Sequence, residues 1–189
     1  MRTFLAWTLA AAAAAASSAA ALALPGSLRA ANDTLVAPSS MSVVDEIDHW
    51  RTRTWYWQRV MGKRRWPTEY LERTTTNPDI RQWVLELWRG RALQARRRAL
   101  HPPYHQRWLC IYRYERDPAQ GWRTNTGNGL YGGLQMDLGF QRRYGAWLLQ
   151  KKGLAHHWTA IEQIWVAERG RRVQGWYAWP NTASACGLI

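Results

Sequence analysis

The chain has 189 residues, with 26 lysines and arginines against 13 acidic residues, giving a formal net charge of +13. Hydrophobic residues make up 47% and charged residues 21%, which is a globular composition and not a disordered one. Two cysteines exclude both a disulfide-dense miniprotein and a four-cysteine zinc module, and leave a small, basic protein with 14 tryptophans.

Residues 1–31 have the layout of a secretory signal peptide: Arg2, then an apolar core running into the alanines from Ala10 to Ala16. Ala21-Leu22-Ala23 and Arg29-Ala30-Ala31 are both suitable cleavage contexts. The segment from Thr3 to Leu24 is also long enough to span a bilayer, so an uncleaved anchor is the competing reading. Both readings place the body of the protein outside the cytoplasm, secreted to the extracellular or cell-wall space. In that oxidising setting Cys110 and Cys186 are expected to pair, which stabilises the fold by roughly 4 kcal/mol through loop closure.

Residues 32–42, with Pro38 and Ser39-Ser40, read as a linker. A helix is predicted from a Ser42 cap to about Met61, with Asp45, Glu46 and Asp48 at its positive end and Gly62 at its stop. Trp50, Trp57 and Met61 share one of its faces. A second helix is predicted from Pro78-Asp79 through the basic run Arg96-Arg97-Arg98, ended by Pro102-Pro103. Together they form a helical extension over residues 43–100, ahead of a main domain at 101–189. Residues 32–100, the linker and extension together, carry a net charge of +5 and the main domain +6, so there is no basic tail. The tryptophans at 50, 55, 57, 66, 83 and 88 suit helix packing, with a carbohydrate platform as the alternative.

A third helix should follow Pro103 and reach Glu115. Five glycines and two asparagines in the thirteen residues from Gly121 to Gly133 exclude a helix or continuous strand there. Asn128-Gly129 predicts a short hairpin flanked by Thr126 and Tyr131. Helix resumes over Leu138–Tyr144 and from Thr159 to about Arg172, and Pro180 and Gly187 break up the tail. The predicted class is α+β, predominantly helical, with one short β-hairpin.

Glu115 carries the chemical interest. At helical spacing it shares a face with Trp108 and with Ile111 or Tyr112, so an apolar stripe ends in a carboxylate. Desolvation there raises a carboxyl pKa and keeps a general acid protonated near neutrality. A salt bridge to Arg113, Arg116 or another of the many arginines is the alternative.

The stretch GWRTNTGNGLYGGLQ, residues 121–135, closely resembles the signature of the resuscitation-promoting-factor, or transglycosylase-like, domain of actinobacterial cell-wall enzymes. Val166-Ala167-Glu168-Arg169, Gln174-Gly175-Trp176, Trp179-Pro180 and Cys186 are similar to the same family, and the resemblance covers roughly residues 104–189. It implies a lysozyme-like fold that cleaves peptidoglycan glycan strands, with Glu115 in the place of the catalytic acid. It also implies sugar contacts from Trp122, Asn125, Thr126, Asn128, Tyr131 and Gln135. Aromatic rings cover pyranose faces, and amides and hydroxyls bond the sugar's polar groups. Two features depart from the family. Tyr114 stands where a cysteine usually precedes the glutamate, which moves the bridge's anchor one turn back to Cys110. Arg116-Asp117 replace the usual Ser-Gly.

Glycosidases usually employ two carboxylates, yet between Glu115 and Glu162 only Asp117 and Asp137 occur, and neither is well placed as a partner. A single acid suits lytic transglycosylation, in which the substrate's own hydroxyl is the nucleophile. A hydrolytic muramidase and a catalytically weak wall-binding or signalling module remain as alternatives. Peptidoglycan glycan strands are the expected partner, with room for other cell-wall hydrolases. The chain is read as a monomer that contacts a membrane only if its N-terminal segment stays uncleaved.

No cofactor is expected. Gly127-Asn128-Gly129-Leu130-Tyr131-Gly132 matches G-x-G-x-x-G, but no buried strand precedes it and no helix begins within it. His101 and His105 flank two prolines, and His156 and His157 are adjacent, so no metal site is indicated. Interleaved arginines and tryptophans could suit nucleic acid, but export points the positive charge at an anionic cell wall.

Overall fold

A computed structural model describes residues 41–189; the signal-peptide or anchor reading of residues 1–31 and nearly all of the 32–42 linker fall outside them. The helices are α1 (Val43–Val60), α2 (Tyr70–Thr74), α3 (Pro78–Ala99), α4 (His105–Glu115), α5 (Leu138–Lys152), α6 (Ala160–Gln174) and α7 (Pro180–Ala185). Two short antiparallel strands, β1 (Leu130–Tyr131) and β2 (Met136–Asp137), complete a helical α+β architecture. No described helix is long and apolar enough to cross a membrane.

Local chemistry explains the element ends. The Ser42 hydroxyl accepts from the Asp45 amide to start α1, and Asn77 does the same for α3 with Pro78 in its first turn. Thr159 and Glu162 form a reciprocal capping box on α6. Asp137 caps α5 by accepting from the Phe140 amide.

Four details differ from the sequence expectation. The helix at Leu138 runs on to Lys152, bending at Gly145, where an added Cβ would meet the Trp158 ring at 2.7 Å. Pro180 opens α7 instead of ending structure, because the first helical turn needs no amide donor from that position. The strand pair turns over residues 132–135, while Asn128-Gly129 sits in a loop closed by a single bridge between Asn125 and Tyr131. Finally, α2 escaped notice because five residues give no periodicity. It delivers Glu72, which is buried, accepts from the Trp88 indole at 3.0 Å and pairs with Arg91 at 3.2 Å.

At the centre lies α6, whose residues 162–168 are all buried. One core cluster packs Trp108, Ile111, Leu134, Leu148, Trp158 and Trp179 around its Ile164, Val166 and Ala167. A second cluster joins Trp165 to Trp57, Val60 and Met61 of the α1 segment and to Ala95 and Ala99 of α3. The Trp165 indole donates to the Ala99 carbonyl, and Arg169 donates to the carbonyls of Val60 and Tyr144. The α1–α3 hairpin is therefore packed directly onto the central helix. Among its tryptophans, Trp50, Trp57 and Trp88 are buried, Trp55 and Trp66 are half-buried, and Trp83 is exposed, so most serve packing.

Cys110 and Cys186 form a disulfide that joins α4 to the end of α7 across 76 residues. Replacing both cysteines with serine should lower the unfolding free energy by roughly 4 kcal/mol, the loop-closure value. Denaturant titration checks this, and an unchanged midpoint would contradict it.

Candidate active site

Glu115 is the last residue of α4. Trp108 and Ile111, two turns and one turn earlier, are fully buried and fix the face from which it projects. Glu115 itself is half-buried, and its Oε1 accepts a 2.8 Å hydrogen bond from the Thr182 hydroxyl of α7. The disulfide links the same two helices, with Cys110 preceding Glu115 and Cys186 following Thr182, so the segments run antiparallel past each other.

Burial raises the Glu115 pKa above the ordinary carboxylate value, and the Thr182 hydrogen bond opposes this only in part. The alternative salt bridge does not form: among the described residues no lysine or arginine lies within ion-pair distance of Glu115. Arg116 instead leaves the helix in extended backbone, and its guanidinium lies 5.3 Å from the centre of the Tyr112 ring.

Neighbouring carboxylates are engaged elsewhere. Asp117 accepts from the amides of Ala119 and Gln120, each at 2.9 Å, and holds the turn after α4. Asp137 caps α5. Glu162 is fully buried and accepts from Tyr56, Lys152 and Thr159, while Glu168 is clamped by Arg171 and Arg172. Those arginine contacts hold the Glu168 pKa below its ordinary value despite burial.

The hairpin segment is tied to α4 through aromatic stacking. Trp122 lies parallel to Tyr112, with ring centres 4.0 Å apart. An added Cβ at Gly133 would meet Tyr112 at 2.6 Å and Trp122 at 2.9 Å, so glycine is required for the strand turn to pass beside both rings. One face of Trp122 is therefore covered by protein, and its carbonyl accepts from Gln163 of α6 at 2.8 Å.

Asn125, Thr126 and Asn128 lie on the exposed loop. The Asn125 and Asn128 side-chain carbonyls accept from the amides of Gly127 and Leu130, which holds the loop's shape. Their NH₂ groups then point to no protein acceptor among the described residues. Tyr131 is half-buried with its ring 5.8 Å from His156, and Gln135 donates to the Gly132 carbonyl from a left-handed backbone conformation. Trp122, Tyr131 and Gln135 thus belong to the packed part of the hairpin, and the other three to its rim.

Sequence reasoning missed Thr182 and His156, and gave Tyr112 no role. Tyr112 stands three residues before Glu115, so helical spacing already placed them together. Thr182 is 67 residues away and carries no local signal.

The family model of the transglycosylase-like domain matches residues 105–182, which run from the first residue of α4 into α7. Residues 105–182 are a transglycosylase-like domain. Relatives of this domain include resuscitation-promoting factors. The chain is 42% identical over 67 residues to resuscitation-promoting factor Rpf1 of Corynebacterium glutamicum, covering 35% of this chain and 34% of that protein. It is 40% identical over 67 residues to resuscitation-promoting factor Rpf of Micrococcus luteus, covering 35% of this chain and 28% of that protein. With resuscitation-promoting factor RpfE of Mycobacterium tuberculosis it shares 40% identity over 77 residues, 41% of each chain. The chain thus spans about a third of the length of these relatives, and α1–α3 lie outside the match to the family model. Within the transglycosylase-like domain, Tyr114 is exposed and the disulfide anchors at Cys110, one turn earlier.

Two measurements examine the site. A carboxyl whose pKa is raised by folding favours the folded state below its unfolded pKa, and that contribution is lost as pH rises through the folded value. Glu115→Gln should therefore raise the melting temperature at pH 7, with the gain shrinking as the pH falls towards 4 and the native glutamate becomes protonated. Thr182→Val removes the bond that lowers the Glu115 pKa. The alkaline limb of any Glu115-dependent activity should move to higher pH in this variant, and an unmoved limb would show that the bond does not act on Glu115.

Proposed function

We propose that the transglycosylase-like domain cleaves the MurNAc–GlcNAc glycosidic bond of peptidoglycan as a lytic transglycosylase, with Glu115 as the single acid and base. The observation that carries this reading is a half-buried carboxyl with a raised pKa beside a glycine-rich, amide-bearing hairpin, with the surrounding carboxylates all engaged in caps or ion pairs. The relatives named resuscitation-promoting factors and the family description favour the same substrate class.

In the proposed reaction, protonated Glu115 gives its proton to the bridging oxygen as the bond from that oxygen to the anomeric carbon breaks. The C6 hydroxyl of the same MurNAc then attacks the anomeric carbon and passes its proton to the Glu115 carboxylate. The product is a 1,6-anhydro sugar, no water is consumed, and the acid is regenerated. Thr182 would hold Oε1 so that the carboxyl keeps one orientation through both proton transfers. The free amide groups of Asn125 and Asn128 suit N-acetyl carbonyls, and the exposed faces of Trp122 and Tyr131 suit pyranose rings. The disulfide fits the proposed secretion to the cell wall.

A second reading, a weakly catalytic wall-binding module, is favoured by one observation. Arg116 stands beside Tyr112 where the family usually has a small residue, next to the proposed acid.

Digestion of purified peptidoglycan followed by mass analysis separates these readings. Anhydro-muropeptides are the expected product, and Glu115→Gln should lower their release at least a hundredfold, the scale of general acid catalysis. New reducing ends would indicate hydrolysis by water, and retention on the polymer without soluble products would indicate the binding module.

A further inference from the structure

A cleft lies away from Glu115, where the C-terminal ends of α1 and α3 meet the side of α6. Its volume is about 430 Å³, and it is lined by Met61, Lys63, Arg97, Arg98, His101, Pro103 and Trp165. The apolar members give it a floor, four basic side chains surround them, and no acidic residue lines it. Most of this wall comes from α1–α3 and the connection after it, outside the stretch that matches the family model.

The charges there are unbalanced. Elsewhere Arg89, Arg91, Lys152, Arg171 and Arg172 each have a carboxylate partner. Lys63, Arg97 and Arg98 have none among the described residues, and His101 contacts only the Arg97 carbonyl, at 2.7 Å. Arg169 adds a further cation behind Gly62: its side chain would lie 3.5 Å from a Cβ added there. Burial and Arg172 lower the Arg169 pKa to about 10, so it stays charged at neutral pH. Favourable interaction with the end of the α3 dipole accounts for Arg97 and Arg98 in the last turn. Lys63 and His101 also follow helix C-termini, and His101 bonds the Arg97 carbonyl there, yet no carboxylate lines the cleft to balance Lys63, Arg97 and Arg98.

We infer that this cleft binds a phosphate-bearing saccharide unit, the repeat of an anionic polysaccharide, at a site separate from Glu115. The volume falls in the range of small-ligand sites. Half-buried Pro103, with the small exposed edges of the otherwise buried Met61 and Trp165, offers an apolar edge to the carbon face of a sugar. The cations approach from three chain segments, and a tetrahedral phosphate accepts from several directions where a carboxylate accepts in one plane. The cleft is also held in place, since Trp165 bonds Ala99 and Arg169 bonds Val60. A polymer seated there would keep the domain on an anionic surface. This inference does not depend on the reaction at Glu115.

The test is an NMR titration of the full-length protein with glucose 1-phosphate, glucose and glucuronate at fixed ionic strength, following the Trp165 indole N–H. Glucose 1-phosphate should give a saturable shift at a concentration at least tenfold lower than either other sugar. Arg97→Glu with Arg98→Glu should abolish the shift. Arg142→Glu with Arg143→Glu, on exposed positions of α5 and with the same change in net charge, should leave it intact. Lys63→Glu, outside any helix, should weaken binding at least fivefold and serves if the α3 double variant fails to fold. Equal losses in both double variants would reduce the effect to net charge and overturn the site. Equal binding of glucuronate would overturn the preference for phosphate, and no saturable shift would overturn the inference entirely.

Discussion

A helix buried on every side can tolerate polar side chains only if each finds a partner, and the middle of α6 imposes this constraint on the whole fold. Its polar residues reach outwards in different directions. Glu162 takes hydrogen bonds from Tyr56 and Lys152, Gln163 reaches the Trp122 and Trp158 carbonyls, and Arg169 joins the Val60 and Tyr144 carbonyls. Trp165, the large apolar member, adds a bond to Ala99. The same short stretch therefore fixes the α1–α3 hairpin, the kinked α5 and the base of the β-hairpin. Substituting a polar residue of α6 would leave a buried group without its partner and loosen more than one neighbour.

The site shows the opposite economy. Glu115 is kept partly out of water with one hydroxyl partner and no cation, an arrangement that disfavours its charged form and so opposes folding at neutral pH. Stability there comes from covalent and apolar contacts around it: the disulfide between α4 and α7, and the tilted and edge-on contacts of Trp108 with Trp176 and Trp179. These contacts hold the carboxyl in place without neutralising it. An ion pair would have held it as firmly but favoured its charged form.

The surface charge divides in a related way. Many basic groups are committed to carboxylates or to aromatic faces, as with Arg59 over Trp147 and Arg171 over Tyr104. Others have no carboxylate partner among the described residues, at exposed positions such as Arg113, Arg123 and Arg142 as well as at Lys63, Arg97 and Arg98. That is why net charge alone says little about binding, while the distribution of unpaired cations says more.

From the sequence alone, most helix ends, the apolar faces and the transglycosylase-like character of the domain could be read. Caps, prolines and spacing act within a few residues, so Ser42, Asn77, Thr159 and the stripe from Trp108 to Glu115 carry their meaning locally. The hairpin's glycines and asparagines were equally plain as a type of segment. Which strand positions pair was not, because the Asn128-Gly129 turn and the later turn compete, and packing of Gly133 against Tyr112 and Trp122 accompanies the later one. The partners of Glu115 likewise needed the tertiary structure. Thr182 and the free space around the carboxyl depend on α7 crossing α4, a contact between segments 67 residues apart. The cleft by Trp165 depends on three segments meeting over α6, and no local pattern encodes such a meeting. Short-range rules set what each segment is; burial of α6 and closure of the disulfide decide which segments face one another.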